Sequence, residues 1–272
     1  MKSRNEPPLP TKTESFVLNK WYADCVGDSG DTVIVYHGVA RWKKLAVRYS
    51  SLLVAVGNAP ASTQYSVRKD DEPACEGSTV RWCSRHLRFE GTWNAIDPGH
   101  SETLLSCVDG VVEWHCLQPR ASAEIRWGNG RKLTGLGYVE RLRMTIAPWK
   151  LPIDELLWGR FLNHTDSVVW IDWRGPVRKR LLLHNGYPIE SVKVADDVVS
   201  FGTSSSLTFG ERTVLREGQL GAVALAALST IRRLLPHRIL AVNETKWRSR
   251  ARLGNPAQKD GWAIYEVVKW PR

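Results

Sequence analysis

The sequence predicts an all-β fold of two antiparallel β-domains, with one helix near residues 218–235. Three observations predict it. Short strand-like runs recur along the chain with Gly, Asp, Pro and Asn between them, the pattern of antiparallel meanders. Thirteen Trp are spread through these runs instead of clustering, which suits aromatic-lined barrels or sandwiches. The style of the first half resumes after Gly128-Asn129-Gly130-Arg131, so one kind of β-domain occurs twice.

Taken in order, residues 1–14 are rich in Pro, Lys and Glu and read as a disordered tail. The turn Gly27-Asp28-Ser29-Gly30-Asp31 leads into a strand over 32–40. An extended run over 45–56 is stopped by Gly57-Asn58-Ala59-Pro60. Strands follow over 78–82, 87–93, 103–108 and 111–117. The junction between domains is expected within 118–136, which gives domains over 15–135 and 136–272. Gly128-Asn129-Gly130 itself has the chemistry of a hairpin turn, not of a nucleotide loop. Strands resume over 137–146, 156–163, 167–173, 178–183 and 191–194. Residues 218–235 are rich in Ala and Leu and end before Pro236, which reads as a helix. It either packs across a barrel mouth or acts as a lid or membrane-contacting segment. Strands over 244–251 and 262–270 close the chain.

Composition narrows the function classes. The formal net charge of +10 raises nucleic acid as a partner, but no helix-turn-helix, RNP or zinc-finger pattern accompanies the scattered basic residues. A solvated face, or contact with anionic lipid headgroups, fits them better. Five Cys without a CxxC pair signal neither a disulfide framework nor a zinc site; Cys75 and Cys83 are the pair an oxidising compartment would join. The His residues show no HxH or HExxH spacing, and no serine elbow, phosphate-cradling loop or dinucleotide fingerprint occurs. No cofactor and no metal are expected. The absence of a secretory signal or an 18-residue apolar run points to a cytoplasmic protein, with peripheral membrane contact as the variation.

Several short pieces resemble the carotenoid 1,2-hydratase family, also called hydroxyneurosporene synthase, and its attachment-protein-like relatives. They are Trp21-Tyr22-Ala23-Asp24 with Gly30-Asp31, Trp158-Gly159-Arg160, and Trp262-Ala263-Ile264-Tyr265-Glu266. The resemblance implies two lipocalin-like antiparallel β-barrels in tandem. It also implies a His-x-Trp pair followed by Tyr-x-Asp, whose acid protonates a double bond of a polyene before water captures the cation. Tyr138-Val139-Glu140 matches Tyr-x-Asp with Glu for Asp, and Trp114 matches the Trp. The His position falls on Val112. His115 is near, but on a strand it points away from Trp114.

The residues themselves support protonation of an electron-rich double bond of an apolar substrate, and the resemblance implies that the substrate is isoprenoid- or polyene-like. Glu140 is the candidate general acid, and strand alternation puts Tyr138 on its face. That face is expected to be a barrel interior. The competing reading pairs Glu140 with Arg141, Arg143 or Arg160, or exposes it. Tyr138 and Trp114 are expected to stabilise a cation and position the acid. Asp172 is a candidate second acid or base, or else a structural acceptor. Trp158, Trp170, His115, Trp247 and Tyr265 are the candidate substrate contacts. Glu244 and Glu266 are further acids; Glu244, with Lys246, Arg248, Arg250 and Arg252, looks like one charged strand face. The reaction would be a hydration, isomerisation or cyclisation. The alternative is a lipocalin-like carrier of a hydrophobic ligand without chemistry, and a third reading is sugar binding on solvent-exposed Trp platforms.

Overall fold

The computed structural model describes residues 16–57, 59–70, 72–223, 236–254 and 258–271. Ten strands form the first sheet: β1 Phe16–Val26, β2 Thr32–Trp42, β3 Leu45–Ala55, β4 Ser62–Ser66, β5 Ala74–Glu76, β6 Thr79–Ser84, β7 Phe89–Ala95, β8 His100–Cys107, β9 Gly110–Trp127 and β10 Arg131–Met144. Nine form the second: β11 Glu155–Leu162, β12 Ser167–Arg174, β13 Lys179–His184, β14 Tyr187–Pro188, β15 Lys193–Val194, β16 Val198–Phe201, β17 Ser205–Gln219, β18 Asn243–Gly254 and β19 Gln258–Lys269. Every pairing is antiparallel.

Both sheets follow one plan. The first four strands meander outward, the remaining strands lead back, with β8 folded onto β9 beside that path, and the last strand pairs with the first: β1 with β10, β11 with β19. The likeness between the halves therefore lies in topology, without a residue-level repeat.

Residues 118–136, the expected junction, form the second part of β9, a turn and the start of β10. Gly128 and Gly130 carry positive φ in that turn, which a side chain would resist. The passage between sheets lies at residues 145–154, beyond β10. The expected helix is described only at its start: Gly218 and Gln219 end β17, and α1, Leu220–Val223, follows. Residues 224–235 lie outside the described residues, as does the expected tail over 1–14. A second single-turn helix, α2, spans His237–Leu240. No described helix is long and apolar enough to cross a membrane.

Alternation sorts the apolar residues into three main clusters. Trp21, Ala23, Cys25, Val139 and Trp93 fill the first sheet's concave side. Phe161, Trp170, Leu182 and Tyr265 fill the second's. The largest cluster lies between the sheets and joins Tyr22, Tyr36, Trp114 and Tyr138 to Trp158, Ile171, Trp173 and Ile264. None of the thirteen Trp is exposed, which removes the sugar-platform reading.

Gly137 shows how tightly the first sheet is built. A Cβ there would lie 2.4 Å from the Asp24 carbonyl and 2.8 Å from Trp93 Cδ1. Those groups are fixed by a 2.7 Å bond from Trp93 Nε1 to that carbonyl. Gly137→Ala is expected to cost about 1–3 kcal/mol by overpacking. A urea midpoint equal to wild type would contradict this.

Candidate active site

The Glu140 carboxyl lies between the sheets, on the convex side of the first, and not in the barrel interior that the sequence led us to expect. Val139 faces the barrel core, while Tyr138 and Glu140 face the other way. Irregular pairing between β10 and β9 on both sides of Val139 marks a bulge, a device that re-aims side chains.

Three donors converge on one oxygen, Glu140 Oε2. Trp114 Nε1 donates at 2.6 Å, Tyr138 OH at 2.7 Å and Trp158 Nε1, from the second sheet, at 3.2 Å. Glu140 is 8% exposed and its three partners less. Among the described residues its hydrogen bonds come from these three donors and not from an arginine. Arg160 binds Asp24, Arg143 binds Glu113, and Arg141 lies over the Trp21 ring. Burial pushes the Glu140 carboxyl above its ordinary range; Lys20 nearby and the donors from Trp114 and Tyr138 pull it down without cancelling the rise. Burial also holds the Tyr138 phenol neutral, so it remains a donor.

Two cross-strand rows face one another. Glu140, Tyr22 and Tyr36 are register partners across β10, β1 and β2. Trp158, Glu266, Lys246 and Arg216 are partners across β11, β19, β18 and β17. Trp158 meets Glu140 and packs edge-on to Tyr22 at 5.1 Å. Lys246, 1% exposed and paired with Glu266, lies 5.5 Å from the Tyr22 ring and 5.0 Å from that of Trp158. Arg216, paired with Glu244, lies 5.1 Å from Tyr36. Burial pushes the Glu266 carboxyl up, but Lys246, Lys20 and Arg216 more than offset it and hold it ionised. The two carboxyls of one cluster are thus driven apart.

Asp24 and Arg160 fasten the rows. Arg160 donates to both carboxylate oxygens, at 3.1 and 2.8 Å, and to the Trp262 carbonyl at 2.9 Å. Tyr22 OH donates to Asp24 at 2.8 Å.

The structure brings Glu140, Tyr138, Trp114 and Trp158 together. It does not bring Asp172 to them. That carboxylate accepts from Arg174 at 2.8 Å and Arg180 at 3.0 Å, a structural acceptor and not a second acid. His115 points away from Trp114 and meets Ser101 Oγ at 2.8 Å, so it contacts nothing at Glu140. Val112, at the expected His position, is buried in the same cluster as Trp114 and offers no polar atom. Trp170, Trp247 and Tyr265 lie on the concave side of the second sheet. Sequence reasoning did not single out Tyr22, Tyr36, Lys246, Asp24 or Arg160 as site residues. The usable signal was the i, i+2 pairing of Tyr22 with Asp24 and of Trp158 with Arg160, the same spacing as Tyr138 and Glu140.

No family model and no curated protein matches the chain by sequence. Solved structures do. CghA, crystallised with Sch210972, matches with a TM-score of 0.61 at 10% identity, over 94% of this chain and 89% of that one. A putative AttH from Nitrosomonas europaea matches with 0.55 at 11% identity, over 98% and 100%. Kievitone hydratase from Nectria haematococca matches with 0.54 at 11% identity, over 92% and 88%. At such identities the likeness establishes the fold alone. The chain is all-β with a double lipocalin-like architecture, as its sequence predicts.

Proposed function

We propose that this chain is a cofactor-independent acid–base enzyme that protonates a double bond of an apolar small molecule. One observation carries the reading: Glu140 is buried without an arginine partner, and three neutral donors reach a single oxygen, Oε2. With Oε2 saturated by donors, the proton of the neutral acid resides on Oε1. Transfer forms a C–H bond at the substrate and breaks its π bond. The charge left on Glu140 is then held by Tyr138, Trp114 and Trp158, donors already in place before the reaction. Capture of the substrate cation by water, with the water's proton returned to the Glu140 carboxylate, gives hydration; capture by a second double bond, followed by loss of a proton to that carboxylate, gives cyclisation; and direct loss of a neighbouring proton to it gives isomerisation. One structural neighbour is a hydratase by name, the first of these outcomes. Lys246 already covers the Tyr22 and Trp158 rings, so cation stabilisation falls to Tyr138 and Trp114.

Infrared difference spectroscopy tests the protonation state without a known substrate. Across a pH titration, wild type is expected to keep a protonated-carboxyl band above the pH at which an ordinary Glu loses it, about 4.3, and Glu140→Gln is expected to lack that band. Identical spectra would refute the acid assignment. A carrier without chemistry is the second reading, and the cavity of the second sheet is the observation that favours it.

A further inference from the structure

We propose that the concave side of the second sheet is a ligand site of its own, separate from Glu140, for a flat conjugated ring system. A cavity of about 320 Å³ lies there, its lining including Leu157, Trp170, Phe209, Trp247 and Tyr265, with Thr245 beside them. That is the small end of ligand pockets, enough for two or three fused rings.

Ring geometry sets the ligand class. Around Glu140 the aromatic pairs are edge-to-face, with interplanar angles of 63° to 75°, which packs rings closely against each other. In the second sheet one pair is stacked and the others are moderately tilted. Phe209 and Tyr265 stack at 4.5 Å and 22°, Trp247 and Tyr265 are inclined by 30°, and Trp170 and Tyr265 by 39°. Phe209, Tyr265 and Trp247 lie against one another and leave no gap between them, so together they form one aromatic wall of the cavity, against which a planar ligand lies flat and a puckered one does not. Gly159 helps to shape it: a Cβ there would lie 2.2 Å from the Trp170 indole. At the rim, Arg212 lies 5.8 Å from the Trp247 ring and 5.7 Å from that of Tyr265, tied by its bond to the Asp196 carbonyl at 2.6 Å. The rim is therefore charged and the aromatic wall apolar.

Trp158 and Glu266 border the cavity too, but the Trp158 indole donates to Glu140 and the Glu266 carboxylate pairs with Lys246. Leu157 and Tyr265 turn to the cavity side, while their neighbours Trp158 and Glu266 lie in the rows facing the first sheet. Adjacent residues thus serve opposite sides of one sheet.

Calorimetric titration with 2-naphthol and with decahydro-2-naphthol, its saturated counterpart, tests the proposal. Wild type is expected to bind 2-naphthol at least tenfold more tightly than the saturated alcohol. Trp247→Ala should weaken 2-naphthol at least tenfold, Thr245→Trp should abolish its binding by filling the cavity, and Glu140→Gln should leave it unchanged. Equal affinity for the two probes, no binding of 2-naphthol, or indifference to both cavity variants would overturn the proposal. Loss of binding in Glu140→Gln would overturn it too, by placing the probe between the sheets.

Discussion

Glu140→Gln is expected to lower turnover by about 10²–10⁴-fold, the range contributed by one positioned acid, while leaving the fold intact. The substitution is chosen for its geometry. The amide oxygen can still accept from Trp114, Tyr138 and Trp158, so only the transferable proton is lost. The pH dependence follows from the direction of the shift. Burial raises the Glu140 carboxyl, so its reactive, protonated form persists above the ordinary carboxyl range and is lost as pH rises through the raised value. The rate should fall along that same limb. Stability carries the matching sign. A group whose folded pKa exceeds its unfolded value favours folding fully below the unfolded value, about 4.3, and loses that contribution as pH rises through the folded one. Glu140→Gln has no such proton to lose. Its urea midpoint should therefore gain on wild type as pH increases. A variant with full turnover, or one whose midpoint falls behind wild type at high pH, would contradict the assignment.

The acid was legible in the sequence because its neighbours are local. Tyr138 and Glu140 are two apart on a strand, and Trp114 lies on the strand that pairs with it. What was not legible is which side of the barrel they face. Tyr138-Val139-Glu140 alternates equally well in either direction, and the choice depends on a second sheet arriving to cover the convex side. The same blindness affected β18. Glu244, Lys246, Arg248, Arg250 and Arg252 read as one charged face; its first three members are buried between the sheets and its last two are exposed. The buried charges are tolerated there because Glu244 meets Arg216, Lys246 meets Glu266, and Arg248 lies over Trp262. All of these partners are distant in sequence. Strand β17 was missed for a different reason. Its pairing shifts between Phe209 and Arg212 and again between Val214 and Arg216, and each shift breaks the alternation that betrays a strand.

Removing Arg160 is expected to be the most damaging single change to stability. Arg160 and Asp24 are both fully buried, and their two-point contact is the charged link between β1 and β11. Their mutual attraction repays the cost of taking both charges out of water only while both are present. Arg160→Met leaves the Asp24 carboxylate in an apolar setting with Tyr22 OH as its remaining side-chain donor, at a cost of about 3–5 kcal/mol. It also strands the Trp262 carbonyl that Arg160 satisfies. Asp24→Leu combined with Arg160→Met should recover part of this loss, because no unpaired charge remains, although Tyr22 OH and the Trp262 carbonyl stay unsatisfied. The link matters for the site as well. Arg160 is two residues beyond Trp158 on one face of β11, and Asp24 two beyond Tyr22, the register partner of Glu140. The ion pair therefore sets how closely the Trp158 indole approaches the acid. Urea denaturation should show the ordering wild type, double variant, Arg160→Met, from most to least stable. A loss under about 1 kcal/mol for Arg160→Met would mean that the apolar cluster and the outer links, such as Lys179 with Glu102 and Ser167 with Asp97, hold the sheets without this pair.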